Sequence, residues 1–170
     1  ANSFGLETAH LEFITATHQT LHEDLKVGGN SAWSQYALVS TANIGDIGAA
    51  YYVVDDSDPL APVLSTGSRT EFFKQYFRFL PAGSTRIGAS TSNPGFDPLV
   101  FVRQDGGHVV VVKTVIGGTF HVTGLPAGEY GVRYTTLDQN GARPGDIELI
   151  PGQILTTSIP RDGVVTIFAK

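Results

Sequence analysis

Two histidines, His18 and His22, stand four residues apart, with Glu23 beside them and His10 eight residues before His18. On a helix such a pair shares one face and can ligate zinc. The order is not His-Glu-x-x-His, and no third ligand is evident at a suitable spacing. His18 and His22 are therefore expected to be packed or solvated, with no metal and no cofactor. Asp55, Asp56 and Asp58 could offer oxygens to calcium, but the loop lacks the spacing of a helix-loop-helix calcium site and reads as a solvated turn. Phe72, Phe73, Tyr76, Phe77 and Phe79 could form a sugar-stacking platform if they faced water; their helical spacing makes them core instead. Neither a Ser-His-Asp order, a P-loop nor a dinucleotide fingerprint occurs.

The elements that must position these residues follow from composition and punctuation. The chain has 170 residues, 41% of them hydrophobic and 16% charged, with 20 Gly and 9 Pro. That is the profile of a turn-rich β protein with enough length for a full core. Its net charge of -5 offers no basic stripe for a phosphate backbone, which argues against nucleic acid as a partner. Cysteine is absent, removing disulfides and thiolate chemistry together. Methionine is absent as well, so a chain opening on Ala1 is expected to be processed from a precursor, and secretion to the extracellular space is the preferred reading. No apolar run reaches the about 18 residues of a membrane span.

Leu11, Ile14, His18, Leu21 and Leu25 recur at intervals of three and four, predicting an amphipathic helix over 6–26 that ends at Gly28-Gly29. A buried strand is expected over 32–39 and another over 49–54, followed by the acidic turn. Ser68 and Glu71 have capping-box spacing and open a helix over 68–80, closed by Pro81 and Gly83. Beyond it, eight strands are predicted at about 84–90, 98–103, 108–115, 119–124, 130–136, 146–149, 153–158 and 163–168, separated by Gly, Pro and Asn breaks. The expected fold is mainly β: an antiparallel β-sandwich of about eight to nine strands, with an N-terminal helix and one further helix. Residues 1–40 form a first segment and 41–170 the sandwich domain with its 68–80 helix. Phe72, Phe73, Tyr76, Phe77 and Arg86 form the structural joint, with Arg86 expected to meet an acidic neighbour or a carbonyl.

The order Trp33-Ser-Gln-Tyr, Ala50-Tyr51-Tyr52-Val53-Val54, Phe73-Lys-Gln-Tyr76-Phe-Arg-Phe79, Pro81-Ala-Gly-Ser-Thr-Arg86-Ile87, Leu99-Val-Phe101 and Asp105-Gly-Gly-His-Val109 resembles the C-terminal end of family 30-type glycoside hydrolases. In those enzymes a (β/α)8 barrel is fused to a β-sandwich, and a Gly-x-x-Arg-Ile strand follows the joining helix. The resemblance spans residues 8–168, most specifically 72–112. It implies that the first helix is a late barrel helix, that Trp33 to Val39 is the eighth barrel strand, and that 1–40 is a remnant of the barrel's end. The acid/base Glu of the family lies on the fourth strand, upstream of Ala1. The nucleophile lies on the seventh, for which Glu7 is the candidate. Trp33 would lie at the floor of the sugar pocket.

A retaining glycosidase needs two carboxyl groups about 5 Å apart, so this chain is expected to be non-catalytic by itself. The implied function is the sandwich portion of a secreted glycoside hydrolase-like protein, supporting a polysaccharide-degrading barrel in the missing part of the same precursor. Two alternatives differ in class. One is a processed extracellular subunit that assembles into a homo-oligomer or filament by adding a strand or segment to an open edge. The other is a carbohydrate-binding module whose partner is a polysaccharide.

Overall fold

The computed structural model describes residues 7–41 and 49–170. The chain forms two compact units, Ala1–Phe73 and Lys74–Lys170, and the division falls inside a helix.

The first unit opens with strand β1 (Ala9–Phe13), helix α1 (His18–Glu23) continued by a π-helical turn over Asp24–Gly28, and strand β2 (Ala32–Gln35). β1 and β2 pair in parallel, so the segment is a β-α-β crossover. This corrects the helix expected over 6–26, of which residue 6 lies outside the described residues. Leu11 and Ile14, the first two members of the three-and-four stripe, are 61% and 57% exposed. Pairing decides against a helix here: the Ser31 and Ala32 amides donate to the Thr8 carbonyl at 2.7 and 3.3 Å, and Tyr36 N–H donates to Phe13 O at 3.2 Å. Thr15 and Thr17 are β-branched and poor helix formers, and the Thr17 hydroxyl oxygen accepts from Thr20 N–H at 3.4 Å, so the helix starts only there.

The strand expected over 32–39 is broken at Tyr36. Its second half, β3 (Ala37–Thr41), joins a different sheet with β4 (Ala50–Asp55) and β5 (Val63–Thr66), in the order β3-β4-β5. The first pair is parallel and the second antiparallel. Nor is this stretch buried as expected: of Ala32 to Val39 only Gln35 is buried, and Tyr36 and Leu38 are 62% and 67% exposed. β5 has no counterpart among the predicted strands.

The helix expected over 68–80 is α2 (Ser68–Phe77). It tightens at its end, with Leu80 and Phe79 N–H both donating to Tyr76 O at 3.0 and 3.1 Å, before Pro81 and Gly83 at φ +83 turn the chain away.

In the second unit all eight predicted strands are present: β6 (Thr85–Ile87), β7 (Phe96–Val102), β8 (His108–Thr114), β9 (Gly118–Val122), β10 (Gly128–Thr135), β11 (Asp146–Leu149), β12 (Leu155–Ile159) and β13 (Gly163–Ala169). Six make an antiparallel sheet in the order β11-β10-β13-β8-β7-β6, and β9 pairs antiparallel with β12. The two sheets enclose one core built from alternate residues: Val110 and Val112 on β8, Tyr130 and Val132 on β10, Val165 and Ile167 on β13, with Leu155 and Ile159 on β12. This is the expected β-sandwich. The intervening residues Val109, Val111, Val164 and Thr166 are also fully buried. Thr166 donates its hydroxyl to the Gln75 carbonyl at 2.6 Å, and Gln75 Nε2 donates to Thr135 Oγ1 at 2.8 Å. The Gln75 carbonyl belongs to the last turn of α2, where acceptors lack helical partners, and a strand hydroxyl supplies one.

Candidate functional site

The site is built on the β-α-β crossover. Parallel pairing of β1 and β2 places their C-terminal ends, Phe13 and Gln35, at one end of the pair. Just short of that end β1 is irregular: His10 pairs with Trp33 and Phe13 with Gln35, leaving Leu11 and Glu12 opposite a single residue. Glu12 takes φ 61, the one non-glycine residue at positive φ among those described. A left-handed conformation at a residue with a Cβ costs on the order of 1 kcal/mol and persists only where its surroundings impose it. The Glu12 side chain is exposed, and among the described residues its carboxylate forms no hydrogen bond or ion pair.

Beside it the aromatic and polar residues form a connected set. Asp24 Oδ2, in the π-helical turn, accepts from the Trp33 indole N–H at 2.9 Å and lies 2.8 Å from His10 Nδ1. Trp33 contacts Phe13 at a centroid distance of 6.2 Å and Phe73 at 5.2 Å. His10 contacts Phe13 at 4.5 Å. One carboxylate therefore fixes an imidazole and an indole on adjacent strands, while the neighbouring carboxylate of Glu12 stays uncommitted. Such a carboxylate can act as nucleophile, base or charge stabiliser, given a second carboxyl group across the substrate.

Glu7, the candidate named from sequence, precedes β1 and is exposed. Glu12 was missed because the stretch was read as helix; strand alternation over Ala9 to Phe13 was the signal that could have found it. Trp33 is half-buried within the set just described. His18 stacks on Phe72 at 4.4 Å and 11°, and His22 is fully buried. No group of three or more potential metal ligands occurs among the described residues. In the acidic turn Asp55 accepts from Ser57 N–H and Asp58 from Leu60 N–H, both at 3.0 Å, closing two local turns. The hydrogen bonds from Ser57, its side chain first, hold the Asp55 carboxyl below the usual carboxylate range. Of the joint residues, Phe72, Phe73 and Tyr76 are buried, whereas Phe77 is 43% exposed and departs from the expected core. Arg86 lies exposed on β6 and forms no ion pair among the described residues, rather than meeting the acid or carbonyl expected for it.

The second unit carries a cleft of about 760 Å³, lined by Ile87, Val100 and Val110 from the large sheet, Phe120 and Val122 from β9, and the 88–93 loop. β9 pairs with β12 alone, so its other edge has no strand partner among the described residues.

No family model matches the chain, and no curated protein sequence matches it. Solved structures do. A glycoside hydrolase family 30 subfamily 8 xylanase from Clostridium acetobutylicum superposes with a TM-score of 0.73 at 17% identity, over 100% of this chain and 44% of the xylanase chain. The catalytic domain of GH30 xylanase C from Talaromyces cellulolyticus gives 0.68 at 16% identity, over 96% of this chain and 40% of the other. A conserved exported protein from Bacteroides fragilis gives 0.69 at 19%, over 89% and 32%. The chain thus has the fold of the C-terminal part of family 30-type glycoside hydrolases, and spans less than half the length of each of these structures.

Proposed function

We propose that this chain is the C-terminal portion of a secreted glycoside hydrolase-like protein, in which a barrel degrades a polysaccharide and the sandwich supports it. The observation that carries the reading is the superposition of nearly the whole chain on under half of each xylanase. On this reading β1 and β2 stand in the places of the seventh and eighth barrel strands, with 1–40 as the barrel segment. Glu12, near the C-terminal end of β1, then occupies the strand that carries the family's nucleophile, at the end of the strand where barrel enzymes hold their catalytic groups. Trp33 on the adjacent strand is placed to contact sugar. The acid/base carboxyl belongs to the remainder of the barrel, so the chain alone is non-catalytic. The exposed Leu11, Ile14, Leu38, Leu60, Val63 and Leu64 of the first unit fit a surface that other chain segments cover.

Two measurements test this. The native protein's intact mass, set against its encoding reading frame, is expected to reveal a barrel with a second carboxylate upstream; a reading frame without one overturns the proposal. Reducing-end release from xylan by the chain exactly as given is expected to be absent, and turnover there sinks the non-catalytic role.

The unpartnered edge of β9 beside its cleft favours a second reading, assembly of an extracellular homo-oligomer or filament by addition of a neighbouring copy's segment. Sedimentation velocity separates the two: a chain that remains monomeric at high concentration excludes assembly.

A further inference from the structure

On the face of the large sheet opposite the sandwich core, basic and aromatic residues gather where β10 runs out. Tyr134 bridges Ala142 in antiparallel sense, with Tyr134 N–H donating to Ala142 O at 3.1 Å and Ala142 N–H to Tyr134 O at 2.8 Å. Arg133 and Arg143 flank this bridge, and the charge of each is felt by the other. Like charges brought together in this way repel, an arrangement that folding alone does not favour. The Arg133 guanidinium carbon lies 5.6 Å from the centroid of Phe168. Phe168 stacks on Phe79 at 4.4 Å and 26°, and Arg78 reaches over Phe79 at 6.0 Å.

Two other arginines of this unit are neutralised. Arg103 meets Asp105 at 3.1 Å, and Arg161 meets Asp138 at 2.8 Å and Asp162 at 2.9 Å. Arg78, Arg133 and Arg143 form no ion pair among the described residues. Asp146, an acid close enough to influence Arg133, is held by Lys170 Nζ, which also meets Glu129 at 2.8 Å. Burial first, then the charge of Arg143, and more weakly that of Arg78, push the Arg133 guanidinium below its usual pKa against the opposing pull of Asp146. Arg133 donates from Nη1 to the Val132 carbonyl at 2.6 Å, which helps to fix the guanidinium over Phe168 and leaves its remaining N–H groups at the edge for an anion's oxygens.

We propose that Arg78, Arg133 and Arg143 form an oxyanion-binding site on the outer face of the six-stranded sheet, for a ligand presenting a carboxylate or phosphate group. The site is independent of the glycoside hydrolase reading, since it uses none of the β1–β2 residues. Phe79 and Phe168 orient the guanidinium groups, and the anion relieves the repulsion between Arg133 and Arg143.

The test is a thermal-shift and calorimetric titration of the full chain with citrate, galacturonate, polygalacturonate and inorganic phosphate, at matched ionic strength against chloride. At least one oxyanion is expected to bind and raise Tm where chloride does not. Preference between citrate and phosphate identifies the group, and a gain from galacturonate to polygalacturonate identifies a polymeric source. Arg78→Gln and Arg143→Gln change exposed residues and are expected to fold. Combined, they should weaken oxyanion binding by at least about tenfold, the scale of one lost charge-assisted contact. Arg143→Gln alone should raise Tm in anion-free buffer. Oxyanions no better than chloride, or a double variant that binds like the parent, overturn the proposal.

Discussion

At the scale of single residues, Asp24, Thr166 and Lys170 show how polar groups are used in this molecule. Asp24 is the shared acceptor for His10 and Trp33, so Asp24→Ala leaves both groups without it. A loss of about 1–3 kcal/mol is expected, read from denaturant unfolding. Thr166→Val keeps the shape of a fully buried side chain while removing the donor to the Gln75 carbonyl. About 1 kcal/mol should be lost, with secondary structure unchanged by circular dichroism. The ion pairs of Lys170 give a pH signature. Its hydrogen bond to Asp146, followed by that to Glu129, raises the lysine above its ordinary 10.5, and the same contact lowers Asp146 below its ordinary 3.8. The lysine's contribution is complete below its unfolded-state pKa and disappears as pH rises through the folded value. The aspartate's is present above its unfolded-state pKa and is lost as pH falls through the depressed folded one. Lys170→Met should therefore flatten the stability profile at both extremes while leaving neutral-pH folding intact, measured as Tm against pH.

Among the elements, close backbone packing sets sharper limits. A Cβ on Gly163, at the start of β13, would stand 2.3 Å from the Thr135 carbonyl oxygen of β10, an atom the ladder holds in place. Gly163→Ala is expected to cost about 1–3 kcal/mol, seen as a lower denaturation midpoint with unchanged slope. The strands of this unit were legible because each is bounded by a turn that only Gly, Pro or Asn enters readily, as at Asn93-Pro94-Gly95 and Asp105-Gly106-Gly107. β1 was not, for a physical reason. Leu11 and Ile14 fit a helical period by coincidence of spacing; the competing alternation over Ala9 to Phe13 spans only 5 residues, and the force that makes the segment a strand is its non-local pairing with residues 32–35. Misreading the element concealed Glu12 and the positive φ its backbone takes beside the bulge. β5 was overlooked because Val63–Thr66 is a four-residue strand with three exposed positions, defined by its partner β4 rather than by a period of its own.

For the whole molecule, the contrast lies between what each unit keeps from water. The second unit buries a continuous sandwich core, whereas the first leaves Leu38 at 67%, Val63 at 61% and Leu60 at 95% exposure. Such surface binds hydrophobic dyes and promotes association. Strong anilinonaphthalene sulfonate fluorescence is expected from this chain under native conditions, and under the function proposed above it should fall by more than half in a longer protein that carries the barrel. Equal fluorescence from both would mean that the barrel does not cover these side chains.

The placement of Trp33 has a spectroscopic consequence. It is the chain's one tryptophan, and its indole is bound to Asp24 and packed near Phe73, all within the first unit. Emission excited at long ultraviolet wavelengths therefore reports on that unit alone, while the second remains dark apart from its tyrosines. Melting of the two units can be followed separately in one unlabelled sample, and a gap between the tryptophan transition and the circular dichroism transition would measure how independently they unfold.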